Sequence, residues 1–309
     1  MKKGTFEGWY FKQNTQSGNY AIAFIPGRAT DKDGKSHAFI QVNHSFEGNE
    51  RHSFYIQFPI EQYRVQWNPL EIQIAENRFS LDGIDLNIET EDLKLKTNLV
   101  FKKMHTYRKT IGSPGVMGPF GYLPFLECYH ELYSLSHQTF GEINVNGTAI
   151  DFNQGDGYVE GDSGKSFPEK WIWFQSNNFK TDASIFCAIA KVPILPMISK
   201  AIQGLICVLL IEGKEYRFST YNGAKVVRIG ATFAGENEIT FVELRKGPLL
   251  LKMSVSGEHG AELKAPTNGS MEGIIKENID ARVKVELFEK GINIFNETGI
   301  NCGFEKNWE

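Results

Sequence analysis

The feature that most constrains this chain is a period-two alternation of apolar and polar residues, which recurs along its length. It is clearest at Phe54, Ile56, Phe58 and Ile60, at Leu70, Ile72 and Ile74, at Ile84, Leu86 and Ile88, and at Val283, Val285 and Leu287. Glycine-containing turns lie between such segments, at Asp33-Gly34, Asp82-Gly83, Asn146-Gly147 and Lys290-Gly291. Alternation sends successive side chains to opposite faces of a strand, and such turns join antiparallel neighbours. The sequence therefore predicts an all-β protein built from antiparallel strands.

One segment could instead be helical. Apolar residues are continuous rather than striped from Leu195 to Leu210, a pattern that fits either a helix or a buried strand with a loop. Its most apolar part, Ile202 to Ile211, has about half of the ~20 residues that a membrane-spanning helix needs. We therefore expect this run to lie in the core, with no transmembrane segment and little helix in the chain. Peripheral contact with a membrane is still compatible with the sequence.

Charge and cysteine content exclude several classes of protein. The 309 residues carry a net charge of -4 with acids and bases interspersed, so we expect no nucleic-acid partner. The four cysteines are far apart and form no CxxC pair, which indicates reduced core residues. The sequence from Met1 reaches a strand pattern at once, without an apolar signal region, so the expected location is cytoplasmic.

A faint internal repeat suggests two modules. Trp9-Tyr10-Phe11-Lys12-Gln13 precedes an apolar run ending at Pro26, and Trp171-Ile172-Trp173-Phe174-Gln175 precedes one ending at Pro193. Each unit is typical of a hairpin, and two such units favour two β-barrel or sandwich modules in tandem. We place the boundary between Leu135 and Gly141, which gives modules 1–138 and 139–309. The Gly- and Pro-rich segment from Ile111 to Pro124 would then be an ordered crossing, a common place for a pocket.

Uncommon residues are most concentrated from Gly155 to Phe179. In a strand Trp171, Trp173 and Gln175 share one face, which suits the wall of a cavity. The carboxylates Asp156, Glu160 and Asp162 precede them, next to glycines that give the backbone freedom. A carboxyl group held against aromatic rings and away from water can donate a proton near neutral pH. The alternative is that these are turn and surface acids.

Glu160 is one candidate for a proton donor. Tyr158 lies two residues before it, so in a strand the phenol could hold the carboxyl, and Asp162 on the same face could share its proton. Alternatively, Lys165 or Lys170 could pair with Glu160 and leave it structural.

A second candidate segment is Glu127-Cys128-Tyr129-His130-Glu131. In a strand it offers either a pair of Glu127 with Tyr129 or, on the other face, His130 as an acid or base. The alternative for His130 is a structural histidine over the core.

Aromatic residues outside the plain alternating strands could line an apolar tunnel or belong to the core. The candidates for ligand binding are Trp9, Tyr10, Tyr122, Phe125, Tyr129, Trp171, Trp173, Gln175 and Asn177. His37, His44 and His52 do not have the spacing of a metal motif, and nucleotide-binding and serine-esterase motifs are missing from the sequence. We therefore expect no metal and no cofactor.

Long segments of the chain resemble the tocopherol cyclase family. They are FEGWYFKQ from Phe6, IPG from Ile25, HAFIQV from His37, SPGVMGPFGYLPFLECYHELYSL from Ser113, GYVEGDSGKSFPEKWIWFQSN from Gly157 and YRFSTYNGA from Tyr216. The resemblance covers nearly the whole chain, and Glu160 keeps a family position. It departs at Gly161 and Ser163, where the family has Lys and Trp.

The resemblance implies two lipocalin-like halves and a pocket for a prenylquinol, another isoprenoid or a lipid. It also implies acid-initiated ring closure, in which a proton adds to a prenyl double bond and a phenol oxygen attacks the cation, with no cofactor. The rival is a non-catalytic binder of lipids or isoprenoids, which the loss of the Lys and the Trp would favour because the Trp ring could stabilise a cation.

Overall fold

The chain is almost entirely β-structure. A computed structural model describes residues 4–46, 51–124, 126–195, 198–235, 237–257 and 260–308. Strands account for 73% of the residues and helix for 4%, and the strands form two antiparallel sheets. The expectation of an all-β antiparallel fold with little helix is confirmed.

The first sheet has twelve strands: β1 (Thr5–Asn14), β2 (Tyr20–Thr30), β3 (Ser36–Phe46), β4 (Arg51–Phe58), β5 (Tyr63–Trp67), β6 (Leu70–Ile74), β7 (Asn77–Ser80), β8 (Gly83–Glu89), β9 (Lys94–His105), β10 (Cys128–Val145), β11 (Thr148–Asp151) and β12 (Gly155–Gly164). They are ordered β4-β3-β2-β1-β12-β10-β9-β8-β7-β6-β5, with β11 paired to β10. The end strands β4 and β5 are linked by a 3-10 turn at Ile60–Gln62. One face of every strand contributes to a single core that includes Phe11, Phe24 and Phe79. The sheet is therefore a nearly closed barrel with an apolar interior.

The second sheet has ten strands: β13 (Trp171–Ser176), β14 (Ala183–Leu195), β15 (Ile198–Ile211), β16 (Lys214–Ser219), β17 (Lys225–Ala234), β18 (Asn237–Lys246), β19 (Leu249–Ser256), β20 (Ala261–Thr267), β21 (Ser270–Glu289) and β22 (Ile292–Asn307). They are ordered β16-β15-β14-β13-β22-β21-β19-β18-β17, with β20 paired to β21. The end strands β16 and β17 are linked by a 3-10 turn at Thr220–Asn222. A third 3-10 turn spans Gly118–Tyr122.

Both sheets follow one plan, as the repeat in the sequence predicts. In each, the first four strands form antiparallel hairpins, the first strand pairs with the last strand of its sheet, and the two end strands are consecutive in the chain. The hairpins expected after Trp9 and after Trp171 are β1 with β2 and β13 with β14.

Equivalent residues of the two repeated segments nevertheless face opposite sides of their sheets. In β1, Trp9 and Phe11 belong to the barrel core, whereas in β13 the core residues are Ile172 and Phe174. Trp171, which the sequence aligns with Trp9, therefore lies on the outer face of its sheet. The sequence similarity therefore predicts the shared hairpin but not which side chains face the core, because a register shift of one residue exchanges the two faces of a strand.

The chain divides into two compact units. Unit 1 comprises 1–107, 127–167 and 262–275, and unit 2 comprises 108–126, 168–261 and 276–309. The division does not fall near residue 138 as expected, because 138 lies inside β10, which pairs with β9 and β12 in unit 1. The segment 262–275 belongs to unit 1 because Gln41 exchanges two hydrogen bonds with the backbone of Lys264.

The apolar run from Leu195 to Leu210 is not a helix. Its described part forms β15 and pairs with β14, so the alternative of a buried strand is correct. Among the residues that the structure describes, no helix is long and apolar enough to cross a membrane.

Candidate functional site

Three neighbouring strands bring the candidate acids together on the outer face of the first barrel. Strand β12 lies between β1 and β10, and its side chains alternate between the core residue Val159 and an outer face carrying Tyr158, Glu160 and Asp162. Across the sheet, His130 of β10 lies directly opposite Asp162, and Tyr10 of β1 lies opposite Glu160. Because directly opposite residues share a face, all five side chains lie on one side of the sheet.

The centre of this face is a histidine held between two carboxylates. The Nδ1 atom of His130 lies 2.8 Å from Oδ1 of Asp162, and its Nε2 atom lies 3.2 Å from Oε2 of Glu160. The hydroxyl of Tyr158 donates a hydrogen bond of 2.5 Å to the same Glu160 oxygen. We call these four residues the His130 cluster. Glu160 is 4% exposed and Tyr158 is fully buried, so the cluster is largely withdrawn from water.

The protonation of His130 follows from these contacts. Burial by itself lowers the pKa of the imidazole, but the negative charges of Asp162 and Glu160 and the hydrogen bonds to both outweigh it, and the pKa is well above its usual value. Burial, followed by the charge of Glu160, raises the pKa of the Tyr158 hydroxyl well above its usual value. The cluster therefore holds an imidazolium between two carboxylates at neutral pH, with a neutral phenol beside it.

The same atoms could also approach a cation. One ligand atom each from His130, Glu160 and Asp162 lie within 4.8 Å of one another, near enough for one divalent ion. An ion bound there would replace one proton of the His130 imidazolium.

The remaining candidates in unit 1 lie in other surroundings. Trp9 points into the barrel, where its Nε1 donates to the hydroxyl of Tyr133 at 3.4 Å. Tyr129 is half-buried and lies opposite Ser163, on the face away from His130. Glu127 is exposed and precedes β10. The pair of Glu127 with Tyr129 thus gains no support as a proton-transfer site, because the strand that would align the two side chains begins only at Cys128.

The candidates in unit 2 line the outer face of β13. Trp173 is 7% exposed and Gln175 is fully buried, and neither belongs to the core that contains Ile172 and Phe174. The Nε1 atom of Trp171 donates to Oε2 of Glu305 at 2.9 Å. Trp171, Trp173 and Gln175 therefore share one face, in agreement with the alternation of the sequence, and Trp173 and Gln175 are buried there while Trp171 is half-buried.

Three further candidates complete the set. Asn177 is buried just after β13, and Tyr122 is 63% exposed on the 3-10 turn. Phe125 lies outside the described residues. Tyr122 is thus far too exposed to line the interior of a tunnel within unit 2.

Two juxtapositions that shape these faces were not predicted from the sequence. His130 and Asp162 are 32 positions apart, and only the pairing of β10 with β12 shows that the histidine lies over the acids. Glu277 and Glu305 lie directly opposite each other on β21 and β22, with Glu277 fully buried and Glu305 opposite Trp173. A glutamate within an otherwise alternating strand is the sequence signal that could have indicated this pair of glutamates.

The two positions that depart from the family motif do not face the His130 cluster. Gly161 lies opposite Trp9, and a Cβ atom at Gly161 would lie 2.8 Å from the ring of Trp9. Ser163 lies opposite Glu7 on the same side. Both positions point to the barrel interior, so the missing Lys and Trp leave the outer-face acids in place.

Fold and site together define a class: a protein of two antiparallel β-sheets, one of them a nearly closed barrel, that carries a buried histidine-carboxylate cluster on an outer face. The model of the family described as tocopherol cyclase-like matches residues 104–306, about two thirds of the chain. The chain belongs to the tocopherol cyclase-like family.

Individual relatives are distant. A chloroplastic tocopherol cyclase of Zea mays is 24% identical over 215 residues, which are 66% of this chain and 42% of the relative. A chloroplastic protein of Oryza sativa subsp. japonica, described as a probable tocopherol cyclase, is 24% identical over 216 residues, 66% of this chain and 43% of the relative. The alignments thus span less than half the length of these relatives.

Solved structures share the fold. CghA with Sch210972 aligns over 99% of this chain and 89% of its own, with a TM-score of 0.63 and 9% identity. A structure assigned as AttH from Nitrosomonas europaea aligns over 99% and 93%, with a TM-score of 0.58 and 12% identity. At these identities the likeness concerns the lipocalin-like barrel fold alone.

Proposed function

We propose that this protein binds a prenylated phenol or a related isoprenoid and catalyses its acid-initiated cyclisation, with the His130 cluster as the proton source. The observation that carries the proposal is the imidazole of His130 between Asp162 and Glu160. A buried acid beside a proton reservoir is what protonation of a weakly basic double bond requires. The relatives named as tocopherol cyclases support a substrate of this kind.

Each residue has a distinct part in this scheme. Asp162 accepts a hydrogen bond from Nδ1 of His130 and fixes the ring, so that Nε2 faces Glu160. The imidazolium transfers its proton to Glu160, which is the stronger acid of the two residue types and the better donor to an alkene. The hydroxyl of Tyr158 holds the carboxyl group in one direction.

The reaction is an isomerisation in which protons balance. The proton of Glu160 adds to one carbon of the prenyl double bond, and the phenol oxygen forms a bond to the resulting cation. The phenol proton then leaves to the Glu160 carboxylate and passes from it to His130, which restores the imidazolium of the starting state. The scheme needs no redox partner.

The test is turnover of prenylated hydroquinones by Glu160→Gln and His130→Gln. Glu160→Gln keeps the shape of the side chain but has no transferable proton, and we expect turnover to fall by roughly 10²–10⁴-fold, the usual contribution of a general acid. In D2O, wild-type product should carry one deuterium on the ring carbon that was protonated. Glu127→Gln, at an exposed carboxylate, is the matched control and should retain the wild-type rate.

The outcomes separate the two candidate functions. Turnover by Glu160→Gln at the wild-type rate would exclude Glu160 as the acid, and turnover by His130→Gln at the wild-type rate would exclude His130 as its proton source. If the wild-type protein binds the hydroquinone without forming product, the non-catalytic binder is the better description.

A further inference from the structure

A long segment that contains basic but no acidic residues includes β9 and ends just before β10. From Leu93 to Leu126 the sequence contains six lysines and arginines and no aspartate or glutamate. This is unusual in a chain whose net charge is -4 and whose charges are otherwise interspersed. The last two of these basic residues, Arg108 and Lys109, are exposed in unit 2.

Next to these charges, two large apolar side chains project into solvent. Ile111 is 96% exposed and Tyr122 is 63% exposed. The hydroxyl of Tyr122 donates a hydrogen bond of 3.1 Å to the backbone oxygen of Ile111, which keeps the two side by side. We call Arg108, Lys109, Ile111 and Tyr122 the basic tip.

The backbone around the tip is held in place. Thr110 and Ser113 exchange two backbone hydrogen bonds and form a tight turn with Ile111 at its apex. Below it, the hydroxyl of Tyr221 lies 3.4 Å from that of Ser113 and donates to the carbonyl of Val116 at 3.2 Å. The ring of Tyr221 packs over Gly118, where a Cβ atom would lie 2.6 Å from the ring. The tip is therefore a fixed turn that presents Ile111 outward.

We propose that the basic tip docks on a membrane surface that carries anionic headgroups. An exposed aliphatic apex can enter the acyl boundary, and an exposed tyrosine suits the interfacial layer. Arg108 and Lys109 can contact the phosphates, and no acidic residue between Leu93 and Leu126 opposes them. This inference does not rest on the proposed cyclisation.

Charge distinguishes the tip from the two most exposed large apolar residues elsewhere in the described part of unit 2. Phe233 is 70% exposed, but it lies directly opposite Glu238 on the neighbouring strand. Ile292 is 69% exposed and lies directly opposite Glu289. Both have an acid as a cross-strand neighbour, which an anionic surface disfavours.

The experiment is sedimentation of the full chain with vesicles of equal parts phosphatidylcholine and phosphatidylglycerol, and with pure phosphatidylcholine vesicles. We expect binding to the anionic vesicles only. Ile111→Asp should weaken it by about tenfold or more, because the apex can no longer be buried. Replacing Arg108 and Lys109 together by Gln should weaken it roughly 25-fold, at about fivefold for each charge. Ile292→Asp is the matched control and should bind as the wild type does.

Several results would overturn the proposal. They are no binding to anionic vesicles, equal binding to both vesicle types, or equal loss of binding in Ile111→Asp and Ile292→Asp. Self-association that Ile111→Asp abolishes, without vesicle binding, would assign the tip to a second copy of the chain instead. Circular dichroism should show wild-type folding for each variant, since all the replaced side chains are exposed.

Discussion

The replacement Asp162→Asn tests the electrostatics of the His130 cluster most directly. Asparagine keeps an oxygen that can accept the hydrogen bond from Nδ1 of His130, but it removes a negative charge 2.8 Å away. The Asp162 side chain is 25% exposed, so water screens part of the attraction, while the other carboxylate, Glu160, remains. A hydrogen bond to a charged group contributes about 1.5–3 kcal/mol. We therefore expect the interaction to weaken by about 2 kcal/mol, which lowers the pKa of His130.

The effect on stability has a definite sign. The pKa of His130 in the folded protein lies well above its usual value, so the imidazolium stabilises the fold fully below the unfolded pKa of about 6.5. This stabilisation is lost as the pH rises through the raised pKa of the folded state. Asp162→Asn should therefore be less stable than the wild type below pH ~6.5, and the difference should shrink at high pH.

The assay is an NMR titration of ¹³C-labelled histidine, with the signal of His130 assigned by its absence in His130→Gln. Denaturant unfolding at low and high pH supplies the second measurement, and Glu127→Gln is the control at an exposed carboxylate. An unchanged titration midpoint for His130 in Asp162→Asn would refute the electrostatic account of the cluster.

Three further predictions concern stability and can be measured by denaturant unfolding. Burial lowers the pKa of His137 to about 3, so below the unfolded pKa of about 6.5 the imidazole takes up a proton on unfolding, and the wild type loses stability as the pH falls from 6.5 to 3. His137→Gln should lose less stability over this range, and an equal loss in both proteins would contradict this. Phe79→Ala should cost about 3–5 kcal/mol, because the ring is fully buried in the first barrel core; a cost below 1 kcal/mol would mean that the core there is not closely packed. Gly27→Ala should be clearly destabilising, because its Cβ would lie 2.5 Å from the ring of Phe39, whereas Gly8→Ala, with nothing nearer than 3.7 Å, serves as the control and should be tolerated better.

The sequence alone determined the class of fold. Alternation with a period of two, as at Leu70, Ile72 and Ile74, identified strands that bury one face, and these three residues are in the first core. The two hairpins after Trp9 and Trp171 were also predicted correctly. Strand periodicity and turn chemistry are local properties, so a single sequence contains them.

The composition of the candidate site was only partly accessible. The spacing of Tyr158 and Glu160 predicted their shared face, and the structure places the hydroxyl 2.5 Å from the carboxylate. His130 was a candidate by itself, with a place over the core as the alternative. Its position between Asp162 and Glu160 depends on β10 lying beside β12 in one register, and local sequence does not specify register between strands that no tight turn joins directly.

Tertiary structure also decided which face of each strand turns inward. Trp9 and Trp171 begin similar strings of residues, yet Trp9 lies in a barrel core and Trp171 lies outside one. Likewise, residue 138 lies within a continuous strand rather than at a boundary, since β10 pairs on both sides within unit 1. The physical reason is that a period-two pattern fixes the alternation of side chains but not its phase relative to the core. The phase, and with it the position of every charged side chain, is set by the pairing of strands far apart in the chain.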